Sequence, residues 1–292
     1  MEQVKLSVIV PAYNVELYLR ECLASIVSQR VNFVYEVICC DDCSQDKSLD
    51  IIKEYQKKFP KIVRFVENKK NLGSAKTSYE LHKIAKGQYI AWIDGDDYLI
   101  DANRFQEQVD FLDSHKNFSA VSGNSIIKYQ DGSPDDLIVK SAISKEHSVE
   151  DVIMAKVYFH TSAIMYRNLY KDRVPKFFSH KYGNGDWLRT ILHASLGKVG
   201  YIDKIVSVYR IHKQGEWSRM NDFEKNIRNT DACIYFNKFL DYKYDALFSR
   251  RIKIFIEHIF AQYESEFGWF KNIFLKSKYK ILLKRINMKY HC

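Results

Sequence analysis

The sequence predicts an α/β fold, with a mostly parallel central sheet flanked by helices and a helical carboxy-terminal extension. Three observations carry this. Apolar, β-rich runs alternate with segments of helical periodicity through the amino-terminal part of the chain. Acidic residues directly follow two of those runs, where parallel sheets place their ligands, beyond the carboxyl ends of the strands. There is no proline after Pro175 and no glycine between Gly215 and Gly268, which suits long helices from Asn221 to about Gln262.

The elements follow in order. Lys5 to Val10 is a short β-rich run closed by Pro11, as in a buried strand. From Val15 to Gln29, Leu19, Cys22, Leu23, Ile26 and Val27 recur at helical spacing. Tyr35 to Cys40 is a second strand, after which Ser44 or Asp46 is placed to cap a helix carrying Leu49, Ile52, Tyr55 and Phe59. Ile62 to Val66 is a third strand, Ser74 to Lys86 a helix, and Gln88 to Ile93 a fourth strand. Strands separated by helices of this length imply right-handed crossovers and a parallel sheet. Ser162 to Tyr166 and Ile205 to Ile211 are also strand-like.

Composition narrows the class. The 292 residues are 46% hydrophobic and 14% aromatic, enough burial to exclude wholesale disorder and a collagen-like fibre. The net charge of +9 is uneven: residues 267–292 hold Lys271, Lys276, Lys278, Lys280, Lys284, Arg285 and Lys289 and no acid. A basic tail on a near-neutral body argues against a nucleic-acid-binding body. No apolar run reaches the ~20 residues of a membrane span, and the first residues lack signal-peptide features, so the expected compartment is the cytoplasm. Cys39 and Cys40 suit small apolar strand positions, and the single C-x-x-C of Cys40 and Cys43 is a weak basis for zinc or redox chemistry.

The candidate site is the strand edge. Pro11-Ala12-Tyr13-Asn14 follows the first strand, Asp41-Asp42 the second and Asp94-Gly95-Asp96-Asp97 the fourth. Neither a P-loop nor a dinucleotide fingerprint occurs, so a bound phosphate needs another counter-charge. Mn²⁺ or Mg²⁺ on Asp94 and Asp96 would supply it, since these ions take one or two carboxylates completed by phosphate and water. A solvated D-G-D-D turn is the plainer alternative; the position after an apolar strand, beside Asp41 and Asp42, favours the site.

Five segments in order resemble glycosyltransferase family 2: SVIVPAYN (Ser7 to Asn14), EVICCDDCSQD (Glu36 to Asp46), NLG (Asn71 to Gly73), KGQYIAWIDGDD (Lys86 to Asp97) and YGNGDW (Tyr182 to Trp187). The resemblance implies the GT-A fold and inverting transfer from a nucleotide-diphosphate sugar, with a UDP-sugar as the expected donor. It implies that Pro11 and Tyr13 line the base pocket with Asn14 beside them, and that Asp42 hydrogen-bonds the base. Asp94 would hold the ribose or a metal-bound water, with Gly95 next to it, and Asp96 would ligate the metal. Asp186 would be the general base, and His212 in Y-R-I-H would approach the metal or diphosphate. Asp97 and Trp187 are the acceptor-side candidates. Cys43 departs from the family's usual glycine, Thr77-Ser78-Tyr79 from its usual A-R-N, and Gly185 from its usual acid; Lys76 is the candidate for the lost basic contact.

Residue chemistry leaves alternatives beside these roles. Asp186 also suits a helix N-cap before Leu188, Ile191 and Leu192. Trp187 suits core packing as well as sugar stacking, and His212 an ordinary surface or core position. Over the expected domains, 1–125 binds nucleotide sugar, 126–218 binds acceptor, and 219–292 is helical. In the terminal segment Leu275, Tyr279, Leu282 and Ile286 share one helical face between basic flanks, a pattern for anionic membrane or for docking on the protein. Membrane attachment would suit a glycan or lipid-linked glycan acceptor in bacterial surface-polysaccharide, capsule or lipopolysaccharide assembly. A sugar nucleotidyltransferase and a non-catalytic glycan or membrane adaptor are the competing classes. The first needs a Gly-rich basic loop where P-A-Y-N stands; the second would not need Asp94, Asp96 and Asp186.

Overall fold

The computed structural model describes residues 3–141, 143–170, 173–180, 185–266 and 282. The elements begin β1 (Leu6–Ala12), α1 (Glu16–Val27), β2 (Tyr35–Asp41), α2 (Ser48–Lys58), β3 (Val63–Glu67), α3 (Ser74–Ile84) and β4 (Tyr89–Trp92). They continue with β5 (Tyr98–Leu99), α4 (Arg104–Ser114), β6 (Phe118–Tyr129), β7 (Asp136–Leu137), β8 (Glu146–His147), α5 (Val149–Ile153) and β9 (Ile164–Arg167). The last are α6 (Asp186–Ala194), β10 (Lys198–Ile211), α7 (Asp222–Phe239) and α8 (Asp245–Glu266).

Two compact units result. The first comprises Met1–Val152 and Val157–Ile211, the second Ile153–Lys156 and the chain from His212 onward. In the first, the strand order is β3-β2-β1-β4-β9-β6-β10-β5. β3, β2, β1 and β4 are mutually parallel, with Val8 of β1 opposite both Val37 and Ala91. β6 and β10 are also parallel, while β9 runs antiparallel to β4 and to β6. The sheet is therefore mixed but mostly parallel, and the segments expected as two halves share it.

Central strands are buried on both faces, hence the continuous apolar runs: Leu6, Val8, Ile9 and Val10 are all inaccessible to solvent. Leu19, Cys22, Leu23 and Ile26 of α1 pack against this layer, the face the helical spacing selects. Cys39 and Cys40 fill strand positions in β2, and the described cysteines are free thiols, with burial pushing Cys40 up to about 12. The C-x-x-C thus serves packing and a turn.

The starts of α1 and α2 cap each other. Lys47 rather than Ser44 or Asp46 occupies the N-cap of α2. Asp46 accepts from Ser48 N (2.9 Å) and, through its other oxygen, from Glu16 N at the start of α1 (2.9 Å). Val15 N donates to Ser48 Oγ at 3.0 Å, and Lys47 N to the Glu16 carboxylate at 2.8 Å. Four of the orphan N–H groups at these helix starts are so satisfied, and the loops after β1 and β2 are tied together.

In the second unit, Asn221 caps α7 with Glu224 in a capping box. The expected long helical section divides into α7 and α8, because Asp241 and Tyr242 take left-handed φ of 49° and 58°. Phe236 of α7 meets Phe248 of α8 edge to face at 6.2 Å. No helix of the described residues is long and apolar enough to cross a membrane. The basic segment 267–292 lies, but for residue 282, outside the described residues.

Candidate active site

Three strand ends converge. Asp42 N donates to Ala12 O (2.9 Å) and Gly95 N to Pro11 O (3.2 Å), which stitches the turns after β2 and β4 to the end of β1. A Cβ on Gly95 would lie 2.9 Å from Pro11 O, so this approach requires glycine. Tyr13 presents its ring to solvent, 48% exposed. Asn14 adopts φ 53°, which asparagine tolerates. Its N–H donates to Ser44 Oγ and its side-chain oxygen accepts from Gln45 N, so it clamps the loop after β2.

Asp42, expected to bond the nucleotide base, uses its oxygens on the chain itself. It accepts from Asn68 Nδ2 (2.7 Å), Leu72 N (2.9 Å) and Gly73 N (2.9 Å), fixing the N-L-G segment that leads into α3. Beside it, the buried Asp41 accepts from Ser44 N, and its other oxygen has no hydrogen-bond partner among the described residues. Lys76 is exposed in the first turn of α3.

The D-G-D-D turn divides its acids by role. Asp94 accepts from Trp92 Nε1 at 2.8 Å. Loss of solvent around it, and the adjacent Asp96 charge, push its carboxyl up to about 7, opposed by the Trp92 bond and by Arg189. Asp97 corrects an expectation. It is 1% exposed, accepts from Ser162 Oγ and Arg210 N, and has His160 Nδ1 at 3.7 Å. Its burial excludes acceptor contact; it pins β10 and the 3-10 turn Thr161–Ala163 to the D-G-D-D turn.

Asp186 is the first residue of α6, and Gly185 takes the N-cap position with no side-chain bond, so Asp186 is not the cap. Its carboxylate accepts from Trp187 N at 2.7 Å and from the Tyr158 hydroxyl. The charges of Asp186 and Asp94 both act on Tyr158, and those of Asp186 and Asp96 on His160, so the base candidate shares one electrostatic field with the D-G-D-D acids. Trp187 is half-buried and donates its indole N–H to Val152 O at 2.6 Å, an anchoring role. His212 opens the second unit, directly after β10, and its assigned role rests on the resemblance.

Sequence reading missed a buried support. Arg189, one turn beyond Asp186 on α6 and 2% exposed, lies with its guanidinium 4.5 Å over the Trp92 ring. Trp92 in turn holds Asp94, so one cation links the base helix to the donor-side acid. Tyr166 bonds His82 Nε2 at 2.7 Å, and His82 Nδ1 donates to Ser78 O at 2.7 Å. An arginine in the otherwise apolar face of D-W-L-R-T-I-L was the available signal; Tyr158 carried none.

The described residues contain no group of three or more His, Cys, Asp or Glu able to hold a metal ion unaided. Asp94 and Asp96 nevertheless fit Mn²⁺ or Mg²⁺, which commonly take two carboxylates plus substrate oxygens. Burial raises Asp94 most, and the Asp96 charge that adds to it is what a divalent cation would offset.

The mostly parallel sheet with helices on its faces and carboxylates at its strand ends is GT-A-like, as the comparisons bear out. The profile described as glycosyl transferase family 2 matches residues 7–173, and the chain belongs to that family. The uncharacterized protein Rv1520 of Mycobacterium tuberculosis is 30% identical over 213 residues, covering 73% of this chain and 60% of that protein. The chain thus spans 60% of the length of that relative. The poly(ribitol-phosphate) β-N-acetylglucosaminyltransferase TarS of Staphylococcus aureus is 36% identical over 112 residues, 38% of this chain and 19% of TarS. The crystal structure of TarS 1–349 with UDP superposes with TM-score 0.65 at 20% identity, covering 92% of this chain and 77% of that one. The mannosyltransferase PcManGT of Pyrobaculum calidifontis, solved with GDP-Man and Mn²⁺, gives 0.59 at 15% identity, covering 98% and 83%.

Proposed function

We propose that the chain is a metal-dependent, inverting glycosyltransferase that moves a sugar from a UDP-sugar to a hydroxyl of a glycan or lipid-linked glycan in the cytoplasm. The observation that carries it is the link between the Asp186 helix and the D-G-D-D turn of a family 2 sheet: the Arg189 guanidinium lies 4.5 Å over the Trp92 ring, whose indole N–H donates to Asp94 at 2.8 Å. The UDP complex of TarS supports the donor, and the poly(ribitol-phosphate) in the name of TarS supports a phosphate-linked surface polymer as acceptor class.

In this reading Tyr13 offers its exposed ring to the base, Asp42 holds the N-L-G segment beside it, and Asp94 and Asp96 hold the cation. A bound Mn²⁺ or Mg²⁺ supplies Lewis-acid stabilisation of the leaving diphosphate. Asp186 takes the proton of the acceptor hydroxyl as its oxygen bonds to the anomeric carbon. The bond from that carbon to the diphosphate breaks, and its electron pair leaves on the nucleoside diphosphate. One displacement with no enzyme nucleophile inverts the centre. Asp97 is given no part, and His212 keeps the metal or diphosphate role only by resemblance.

Calorimetric titration of UDP with Mn²⁺ tests the assignments. Asp96→Asn should abolish Mn²⁺-dependent binding. Asp186→Asn should bind as the wild type does and turn over roughly a hundred- to ten-thousand-fold slower. Normal turnover by Asp186→Asn would remove it as the base.

A further inference from the structure

Asp186 presents a difficulty for a general base. One of its oxygens accepts from Trp187 N, a donor fixed by the first turn of α6, where Thr190 Oγ1 also bonds the Asp186 carbonyl at 2.8 Å. The other accepts from the Tyr158 phenol. Each oxygen keeps a further lone pair, so an acceptor hydroxyl that hands its proton to the second oxygen shares it with the Tyr158 phenol or displaces it.

Tyr158 is built differently from Tyr89, a buried tyrosine of the same unit that also bonds an aspartate. Tyr89 donates to Asp113 at 2.6 Å from within β4 and is fully buried, a structural pair. Tyr158 is 41% exposed and stands in the irregular stretch between α5 and the turn Thr161–Ala163. Loss of solvent around its hydroxyl and the Asp186 charge push the phenol well up, with Tyr209 and Asp94 adding to it.

From this arrangement we infer that Tyr158 is a gate on the base: its hydroxyl keeps the Asp186 carboxylate from water and yields it to the hydroxyl of a bound acceptor. The inference rests on Asp186 being the base. Water attack on the donor would bond its oxygen to the anomeric carbon, pass its proton to Asp186 and expel the nucleoside diphosphate with the bonding pair. Water brings no binding energy to displace the phenol, whereas an acceptor held at several points does. Tyr158 is thus a positioning residue that sets the ratio of transfer to hydrolysis.

Two readouts on the full-length wild type, Tyr158→Phe and Tyr158→Ala test this. The first is carboxyl labelling with carbodiimide and glycine ethyl ester, read by peptide mass spectrometry. Labelling of Asp186 should rise several-fold from wild type to Phe and further to Ala, while Asp113 stays constant. The second is UDP release from UDP-glucose and UDP-N-acetylglucosamine with Mn²⁺ and no acceptor. Tyr158→Phe should raise it about tenfold, the scale of one lost hydrogen bond to a charged group, and adding Asp186→Asn should cancel the rise. Equal labelling of Asp186 in wild type and Tyr158→Phe overturns the gate, as does labelling that rises while UDP release falls or stays level. If labelling rises but no protein, wild type included, binds or consumes either nucleotide sugar, Tyr158 does cover the carboxylate and the donor reading fails instead.

Discussion

Cys43 sits at φ 66°, in the left-handed region, at the position where the family usually has glycine. For a residue with a Cβ that conformation costs roughly 1–2 kcal/mol. A β-branched side chain fits it worse still. Cys43→Val should therefore lower stability, and Cys43→Gly should match the wild type or exceed it by up to about 1–2 kcal/mol, both read as urea midpoints. A valine variant as stable as the wild type would contradict the turn geometry. The left-handed turn explains the departure noted from sequence: the turn stays tight without its glycine because Ser44 N bonds Asp41 and Gln45 N bonds Asn14.

At the scale of elements, Asp46 joins two helix starts, so Asp46→Ala removes both acceptors at once. A lost helix-start acceptor costs about 0.5–2 kcal/mol, and the double loss should fall at or above the upper end, measured by urea denaturation. The same substitution should loosen the loops after β1 and β2. β1 to β4 and α1 to α3 were legible in sequence because their signals are local: period, run length and flanking turns. β6 and β10 were not, apart from the apolar end of β10. They pair with each other across about seventy residues with several register shifts, and distant pairing leaves little local pattern. The α7–α8 break was equally silent, since Asp241 and Tyr242 bend the chain without glycine or proline. In the site, Asp94 and Asp96 were readable from strand position and Asp186 through resemblance. Asp97 looked the same as its neighbours; only the fold, by burying it under Ser162 and β10, separates it from the acids proposed for the site.

For the whole molecule, buried histidines set an acid limit. Burial holds His82 at about 3, with Arg189 adding to it, and holds His193 at about 3 with His82 and Arg189 adding to it. Both nitrogens of His193 lack a hydrogen-bond partner among the described residues, so a proton there gains no acceptor. In the unfolded chain each titrates near 6.5. Their contribution is full above that pH and is lost as pH falls from about 6.5 toward 3, on the order of 1 kcal/mol per pH unit for each. Urea midpoints at pH 7 and pH 5 should differ clearly; equal midpoints would show that these imidazoles do not stay neutral in the fold.

The placement of β9 between β4 and β6 has a consequence for synthesis. β4 ends at Trp92, and the strand that covers its open edge ends at Arg167. A ribosome adding about 5–20 residues per second needs roughly 4–15 s to supply that interval. Meanwhile the parallel half of the sheet can assemble, yet Tyr89–Trp92 keeps a bare apolar edge, the kind on which chains pair wrongly. The nascent protein is therefore most vulnerable to aggregation after the parallel strands β1 to β4 are made, and yield should depend on how quickly residues 93–167 follow.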